Sequence, residues 1–173
     1  FQHNFNLLEK LYLPMNNGLT SDGLISIANH CPALKELDIT WCEEVDDRGI
    51  YEVFLKCDSL EKIEIVGIKK ATEKGFPVIK EFYEQKTKKI NFLSDSDKEE
   101  TVNTLKAIYE KKFVMSNFSF YKNLKFINAT KCDFVPDEVF LLLILINSEI
   151  EAKNYYDERI YLPSHEGKTL YYE

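Results

Sequence analysis

Residues 34–50, LKELDITWCEEVDDRGI, contain the three patterns that decide the fold. Leu34, Leu37 and Ile39 have the spacing of a short strand with one apolar face. An acidic turn follows, and Gly49 and Ile50 match the start of GLISIANHC (23–31), in which Leu24, Ile27, Ala28 and Cys31 have the spacing of one helical stripe. The stretch therefore predicts a unit made of one strand, one turn and one helix.

This unit recurs with a period of 26 residues. The matching apolar and glycine positions are Leu8, Leu34 and Leu60; Leu11, Leu37 and Ile63; Leu13, Ile39 and Ile65; and Gly23, Gly49 and Gly75. One strand and one helix cannot bury an apolar face alone, so stacked units are needed to form a continuous core. We therefore predict an α/β fold with a parallel sheet on one side and helices on the other. Asp22, Asp46 and Asp47 lie near the predicted helix starts and suit N-capping.

The segments CPALKELDITWCEEVDDRGI (31–50) and CDSLEKIEIVGIKKATEKGF (57–76) resemble the cysteine-containing leucine-rich repeats of F-box/LRR proteins and related adaptors. The shared features are a cysteine after the strand, the Val-Asp-Asp-Arg-Gly-Ile segment that begins the helix, and Cys-Pro before the strand. The resemblance is strongest over residues 5–80. It implies a leucine-rich-repeat solenoid with a curved parallel sheet on the concave side and helices on the convex side.

The whole chain, residues 1–173, is predicted to form a single solenoid of about five to six repeats. Their boundaries are 8–33, 34–59, 60–86, 87–123 with an insertion near 110–123, 124–156, and a partial repeat at 157–173. Ile90 and Phe92 fill the strand positions of the fourth repeat, and ERIYLPSHEG (158–167) echoes EKLYLPMNNG (9–18). Both ends fall within a repeat, so we expect either a fragment of a longer chain or a partner that covers the first repeat.

Composition disfavours several classes of function. The formal net charge of −7 argues against nucleic acid as a partner, and the sequence has no apolar run of membrane-spanning length. The four cysteines form no CxxC pair and have no metal-ligand spacing with the histidines. The acidic run 94–100 lacks the spacing of a calcium loop. We therefore predict no catalytic residues, no cofactor, no metal and no enzymatic activity. Sparse cysteines favour an intracellular protein, cytoplasmic or nuclear, with a mitochondrial location as the other possibility.

The cysteines are predicted to be structural. Cys42 and Cys132 occupy the turn after a strand, where a small side chain can bond buried backbone groups. Cys31 and Cys57 end the predicted helices on their buried stripes.

The residues between the core positions of each strand point onto the opposite, concave face of the predicted sheet. Neighbouring strands lie about 4.8 Å apart, so these residues form ladders. Aromatic residues flank a mixed-charge centre, which is typical of protein-recognition surfaces. The alternative is an ordinary solvated sheet face. The predicted partner-binding residues are Lys10, Tyr12, Met15, Glu36, Asp38, Trp41, Lys62, Glu64, Lys89, Asn91, Phe126, Asn128, Lys131, Arg159 and Tyr161.

Two irregular segments are further candidates for contact with a partner. FLLLILI (140–146) is apolar on every side, so we expect it to be covered either by residues 147–157 or by another subunit. The insertion 110–123 carries several aromatic residues and is either a lid on the core or a docking loop.

The sequence thus predicts a non-enzymatic protein-interaction module that is part of a hetero-complex. The family resemblance implies the substrate-recognition region of an F-box/LRR ubiquitin-ligase receptor. The alternative is a structural subunit or assembly factor of a large mitochondrial or ciliary complex, which the irregular repeats after residue 86 favour. A third class is an enzyme whose chemistry lies in flanking sequence.

Overall fold

The structure is a computed structural model that describes residues 5–80 and 121–160. Its strands are β1 (Lys10–Tyr12), β2 (Glu36–Asp38), β3 (Lys62–Glu64), β4 (Phe126–Asn128), β5 (Glu151–Lys153) and β6 (Arg159–Ile160). Its helices are α1 (Ser21–His30), α2 (Asp47–Lys56), a 3-10 helix (Glu73–Gly75) and α3 (Asp137–Ile146).

The six strands form one sheet in the order β1-β2-β3-β4-β5-β6. The first four pairings are parallel, and β5 pairs with β6 in the antiparallel direction. Leu11 pairs with Leu37, and Leu37 with Ile63, which is the register that the 26-residue period predicts. An α/β fold with a mostly parallel sheet is confirmed.

The order of strands differs from the prediction after β3. A strand at Ile90 and Phe92 was expected next to β3, but β3 pairs directly with β4, and Ile63 lies beside Ile127. No position between β3 and β4 is left for another strand. Ile90 and Phe92 themselves lie outside the described residues.

The end of the sheet also differs from the prediction. The fifth repeat was expected to extend to residue 156 and a sixth parallel strand to follow. Instead, the Asn147 side chain at the end of α3 donates to backbone carbonyls of the turn before β4, including Leu124 O at 3.0 Å. The next strand, β5, then begins already at Glu151. The chain then reverses at Asp157, whose φ is +67°, so that β6 returns antiparallel to β5.

The helix starts are linked by side-chain hydrogen bonds between successive units. Asp46 caps α2 as predicted, by accepting from Arg48 N–H, and it also accepts from the Ser21 hydroxyl at 2.6 Å. Thr20, rather than Asp22, caps α1. Asp47 accepts from the Thr72 N–H and hydroxyl, both at 2.7 Å. These bonds fix the spacing between helices on the side of the sheet that holds the core.

All four cysteines are buried at their predicted positions. The Cys42 thiol donates to Leu13 O at 3.1 Å, and the Cys132 thiol donates to Ile65 O at 3.0 Å. Cys31 and Cys57 are the C-cap residues of α1 and α2. Burial raises the pKa of Cys57 to about 12 and that of Cys132 to about 11, so these thiols stay protonated at neutral pH.

The apolar helix α3 is covered by the chain itself over most of its length. Residues 139–144 are all buried within the single chain, and Leu145 and Ile146 are partly buried. The Phe140 ring makes an edge contact with Phe76 at 6.4 Å between centroids. No helix in the two described ranges has the length and apolarity to cross a membrane.

The last part of the predicted insertion belongs to the core. The Tyr121 ring is fully buried, lies 5.2 Å from the Phe54 ring, and its hydroxyl accepts from Val78 N–H at 3.3 Å. The insertion before Tyr121 lies outside the described residues.

Candidate interaction surface

Nine of the predicted partner-binding residues lie in the strands, on the face opposite the core. We name this surface the sheet face; its predicted members are Lys10, Tyr12, Glu36, Asp38, Lys62, Glu64, Phe126, Asn128 and Arg159. Strand pairing aligns the first eight into two ladders, Lys10-Glu36-Lys62-Phe126 and Tyr12-Asp38-Glu64-Asn128. Lys89, Asn91 and Tyr161 lie outside the described residues, and Phe126 takes the place beside Lys62 where Lys89 was expected.

The charges around Glu36 on the sheet face are paired with one another. The Glu36 carboxylate contacts Lys10 Nζ at 2.7 Å and accepts a hydrogen bond from the Tyr12 hydroxyl. These bonds, from Lys10 first and Tyr12 second, lower the pKa of Glu36. The hydrogen bond to Glu36 raises the pKa of both Lys10 and Tyr12. At neutral pH the Glu36 carboxylate and the Lys10 ammonium are therefore both charged, and their charges cancel.

A second polar group lies on β3 and β4. Lys62 Nζ is 3.0 Å from Glu64, and Asn128 Nδ2 donates to the other Glu64 oxygen at 2.9 Å. The hydrogen bond with Glu64 raises the pKa of Lys62. Lys62 Nζ also lies 5.3 Å from the centre of the Phe126 ring, a cation–π distance. A partner would meet a face with few uncompensated charges.

Beyond the strand ends, one residue from each of four turns has the left-handed backbone conformation. We name these four the strand-end strip; their φ angles are +56° at Met15, +57° at Trp41, +70° at Gly67 and +59° at Lys131. All four of their N–H groups donate to the next turn along: Met15 to Thr40 O, Trp41 to Val66 O, Gly67 to Thr130 O and Lys131 to Tyr155 O. The repeated backbone places the three side chains of the strip, and the Cα of Gly67, in equivalent positions.

The indole of Trp41 lies flat against the backbone of Gly67. A Cβ atom at Gly67 would stand 2.5 Å from two ring carbons of Trp41, so only glycine leaves room for the ring there. Lys131 Nζ lies 5.6 Å from the centre of the same indole. Trp41 is thus half-buried and contacts residues of two successive turns.

Exposed apolar side chains flank Trp41. Met15 is 70% exposed and Tyr12 is 53% exposed. On the other side, Lys131 N–H donates to Tyr155 O at 3.0 Å, and Tyr156, next to it, is 73% exposed. The two tyrosine rings pack edge to face with centroids 4.9 Å apart. Sequence reasoning missed both tyrosines because it considered residues 147–157 only as one of two possible covers for the apolar helix; the adjacent aromatic pair was the available signal.

A separate groove lies on the helix side of the sheet. It has a volume of about 770 Å³, and its walls include Arg48, Tyr51 and Lys74. Arg48 is held there by ion pairs with Asp22 and Asp46, both at 3.4 Å. Within the described parts of the chain, no group of three His, Cys, Asp or Glu side chains is arranged to hold a metal ion.

The chain matches none of the protein-family models with which it was compared, and no curated protein is significantly similar to it.

Proposed function

We propose that the chain is a leucine-rich-repeat solenoid and acts as a non-enzymatic protein-interaction module. In this proposal the partner binds the sheet face and the strand-end strip, which lie on the concave side of the solenoid. The observation that carries the proposal is the Trp41 ring, which lies against Gly67 at an exposed edge. The 26-residue register of β1, β2 and β3 and the buried cysteine positions support the assignment to leucine-rich repeats.

The arrangement around Trp41 has the properties of an interface anchor. Binding energy in protein interfaces concentrates in a few Trp, Tyr and Arg side chains that sit in well-packed surroundings. A ring already held by Gly67 and Lys131 loses little conformational entropy when a partner covers it. Met15 and Tyr12 add exposed apolar area beside it. These properties favour recognition over a merely solvated sheet face.

The leading biological context that we propose is the substrate-recognition region of an F-box/LRR-type ubiquitin-ligase receptor, in an intracellular hetero-complex. It is supported by the resemblance of residues 31–50 and 57–76 to the repeats of that family. The second candidate is a structural subunit or assembly factor of a large complex. The departure from the period between β3 and β4, and the antiparallel β6, favour this candidate because regular solenoids keep one repeat length.

The proposed function predicts that Trp41→Ala together with Tyr12→Ala weakens partner binding. Two hot-spot side chains are worth about 2 kcal/mol or more each, so we expect partner recovery in affinity pull-down to fall by at least about tenfold. Because neither ring belongs to the buried core, the melting temperature should change by only a few degrees. Tyr51→Ala, which removes an aromatic ring from the helix-side groove, is the matched control and should leave binding intact.

Two results would contradict the proposal. One is full partner recovery by the double variant at wild-type amounts of folded protein. The other is a loss of binding with Tyr51→Ala that equals the loss with the double variant. Identification of the recovered proteins by mass spectrometry then separates the two contexts: ubiquitin-ligase subunits support the first, and stoichiometric recovery of a stable assembly supports the second.

A further inference from the structure

Lys131 is the cation of the strand-end strip that has no anion. Its Nζ lies over the Trp41 ring. In the described ranges, no carboxylate oxygen lies within 4.0 Å of this Nζ. Other lysines near the strip are paired: Lys153 with Asp157 at 2.8 Å, Lys70 with Glu44 at 2.9 Å and Lys69 with Glu43 at 3.9 Å. An exposed ammonium fixed over an aromatic ring is therefore available to a ligand.

We propose that the strand-end strip binds a polypeptide segment in which an Asp or Glu side chain neighbours a large apolar side chain. This inference rests on the proposed function and specifies its partner. The apolar side chain packs on Trp41 and Met15, and the carboxylate pairs with Lys131. Charge-assisted hydrogen bonds of this kind are stronger than neutral ones, and the indole shields one side of the ammonium from water.

The charges of the chain favour a single carboxylate over a polyanion. The formal net charge is −7, and Asp38 lies at the end of β2 that leads into the strip. This negative potential would repel a nucleic acid or a run of acidic residues. A single carboxylate directed at Lys131 experiences the least repulsion. Two of the three sheet-face carboxylates that a basic segment would meet, those of Glu36 and Glu64, are already bonded to Lys10 and Lys62.

Trp41 is the single tryptophan of the sequence, so its fluorescence reports directly on the strip. The strip crosses four neighbouring strands, roughly 15 Å, which an extended peptide of about 6 residues can span. We would titrate the protein with acetylated and amidated peptides that carry Phe beside Glu. Matched peptides with Lys in place of Glu, and with Ala in place of Phe, test the two parts of the ligand. Blocked ends exclude binding through a terminal carboxylate.

We expect a saturable change in Trp41 fluorescence with the Phe-Glu peptide and at least about fivefold weaker binding of both matched peptides. Lys131→Glu should weaken binding of the Phe-Glu peptide about tenfold and strengthen binding of the Phe-Lys peptide, because the sign of the local charge is reversed. Lys122→Glu changes the net charge equally, but Lys122 is exposed in the turn before β4, at the opposite strand end. This control should bind like the wild type.

The inference is overturned if the Phe-Glu peptide gives no saturable change, if the Phe-Lys peptide binds as well, or if Lys131→Glu and Lys122→Glu weaken binding equally. Each of these results leaves the proposed function separately testable. Partner recovery that depends on Trp41 and Tyr12 but not on Lys131 would retain the interaction surface and reject its acidic ligand.

Discussion

Replacing Phe54 with alanine is expected to lower the free energy of unfolding by about 3–5 kcal/mol. Phe54 is 1% exposed, and its ring centroid lies 5.5 Å from that of Phe76 and 5.2 Å from that of Tyr121. Tyr121 begins the second described range of the chain, so Phe54 joins the first three strand–helix units to the part that carries β4 and α3. A cavity at this junction removes contacts from both sides.

Urea unfolding followed by circular dichroism measures this loss. A matched control is Leu55→Ala on the same helix, because Leu55 is 38% exposed and its truncation should cost only about 1 kcal/mol. The Phe54 variant should also melt about 10 °C lower. Equal effects of the two substitutions would show that Phe54 does not lie at the centre of the core.

Replacing Gly67 with alanine is expected to lower the free energy of unfolding by about 2–5 kcal/mol. The left-handed conformation, with φ of +70°, costs a residue with a Cβ about 1–2 kcal/mol. The new Cβ would also stand 2.5 Å from the Trp41 ring, and such overpacking costs about 1–3 kcal/mol. Trp41 must therefore leave its position, or the turn must move.

A double-mutant cycle separates these two costs. With alanine at position 41 the clash disappears, so Gly67→Ala in the Trp41→Ala background should cost only the backbone part, about 1–2 kcal/mol. Gly23→Ala within α1 is the control, because the new Cβ would meet the Leu19 side chain, before the helix, at an ordinary 3.4 Å. It should leave stability unchanged or raise it slightly. Additive effects of the two alanines would contradict the contact between Trp41 and Gly67.

The sequence predicted the register of the first three strands because each core column repeats at the same spacing. Leu11, Leu37 and Ile63 lie side by side on adjacent strands, as their 26-residue spacing predicted. The turn cysteines were predictable too, since a small polarisable donor fits the position where Cys42 meets Leu13 O. Periodicity thus carries much of the packing of β1, β2 and β3.

The neighbours and directions of the later strands could not be predicted in the same way. An apolar alternation such as that of residues 159–161 is the same in a parallel and an antiparallel strand, so the direction of β6 depends on the turn at Asp157. Direct pairing of Ile63 with Ile127 spans a sequence separation that no period reveals.

The candidate site was predictable in part. The position of Trp41 in its column was visible in the sequence, and its departure from the other turns suggested a role beyond packing. Its support was not visible, because the left-handed turn conformation and the space above Gly67 arise only when successive turns stack. The pairing of Glu36 with Lys10 and Tyr12 likewise depends on strand register.

The most direct test of recognition through the strand-end strip uses the single tryptophan of the chain. Incorporation of 5-fluorotryptophan gives one ¹⁹F resonance, which belongs to Trp41. Addition of a partner purified by pull-down should shift or broaden this resonance in proportion to the fraction bound, because the partner covers the indole. A resonance that stays unchanged while the partner is bound to saturation would place the interface elsewhere and contradict the proposed function of this surface.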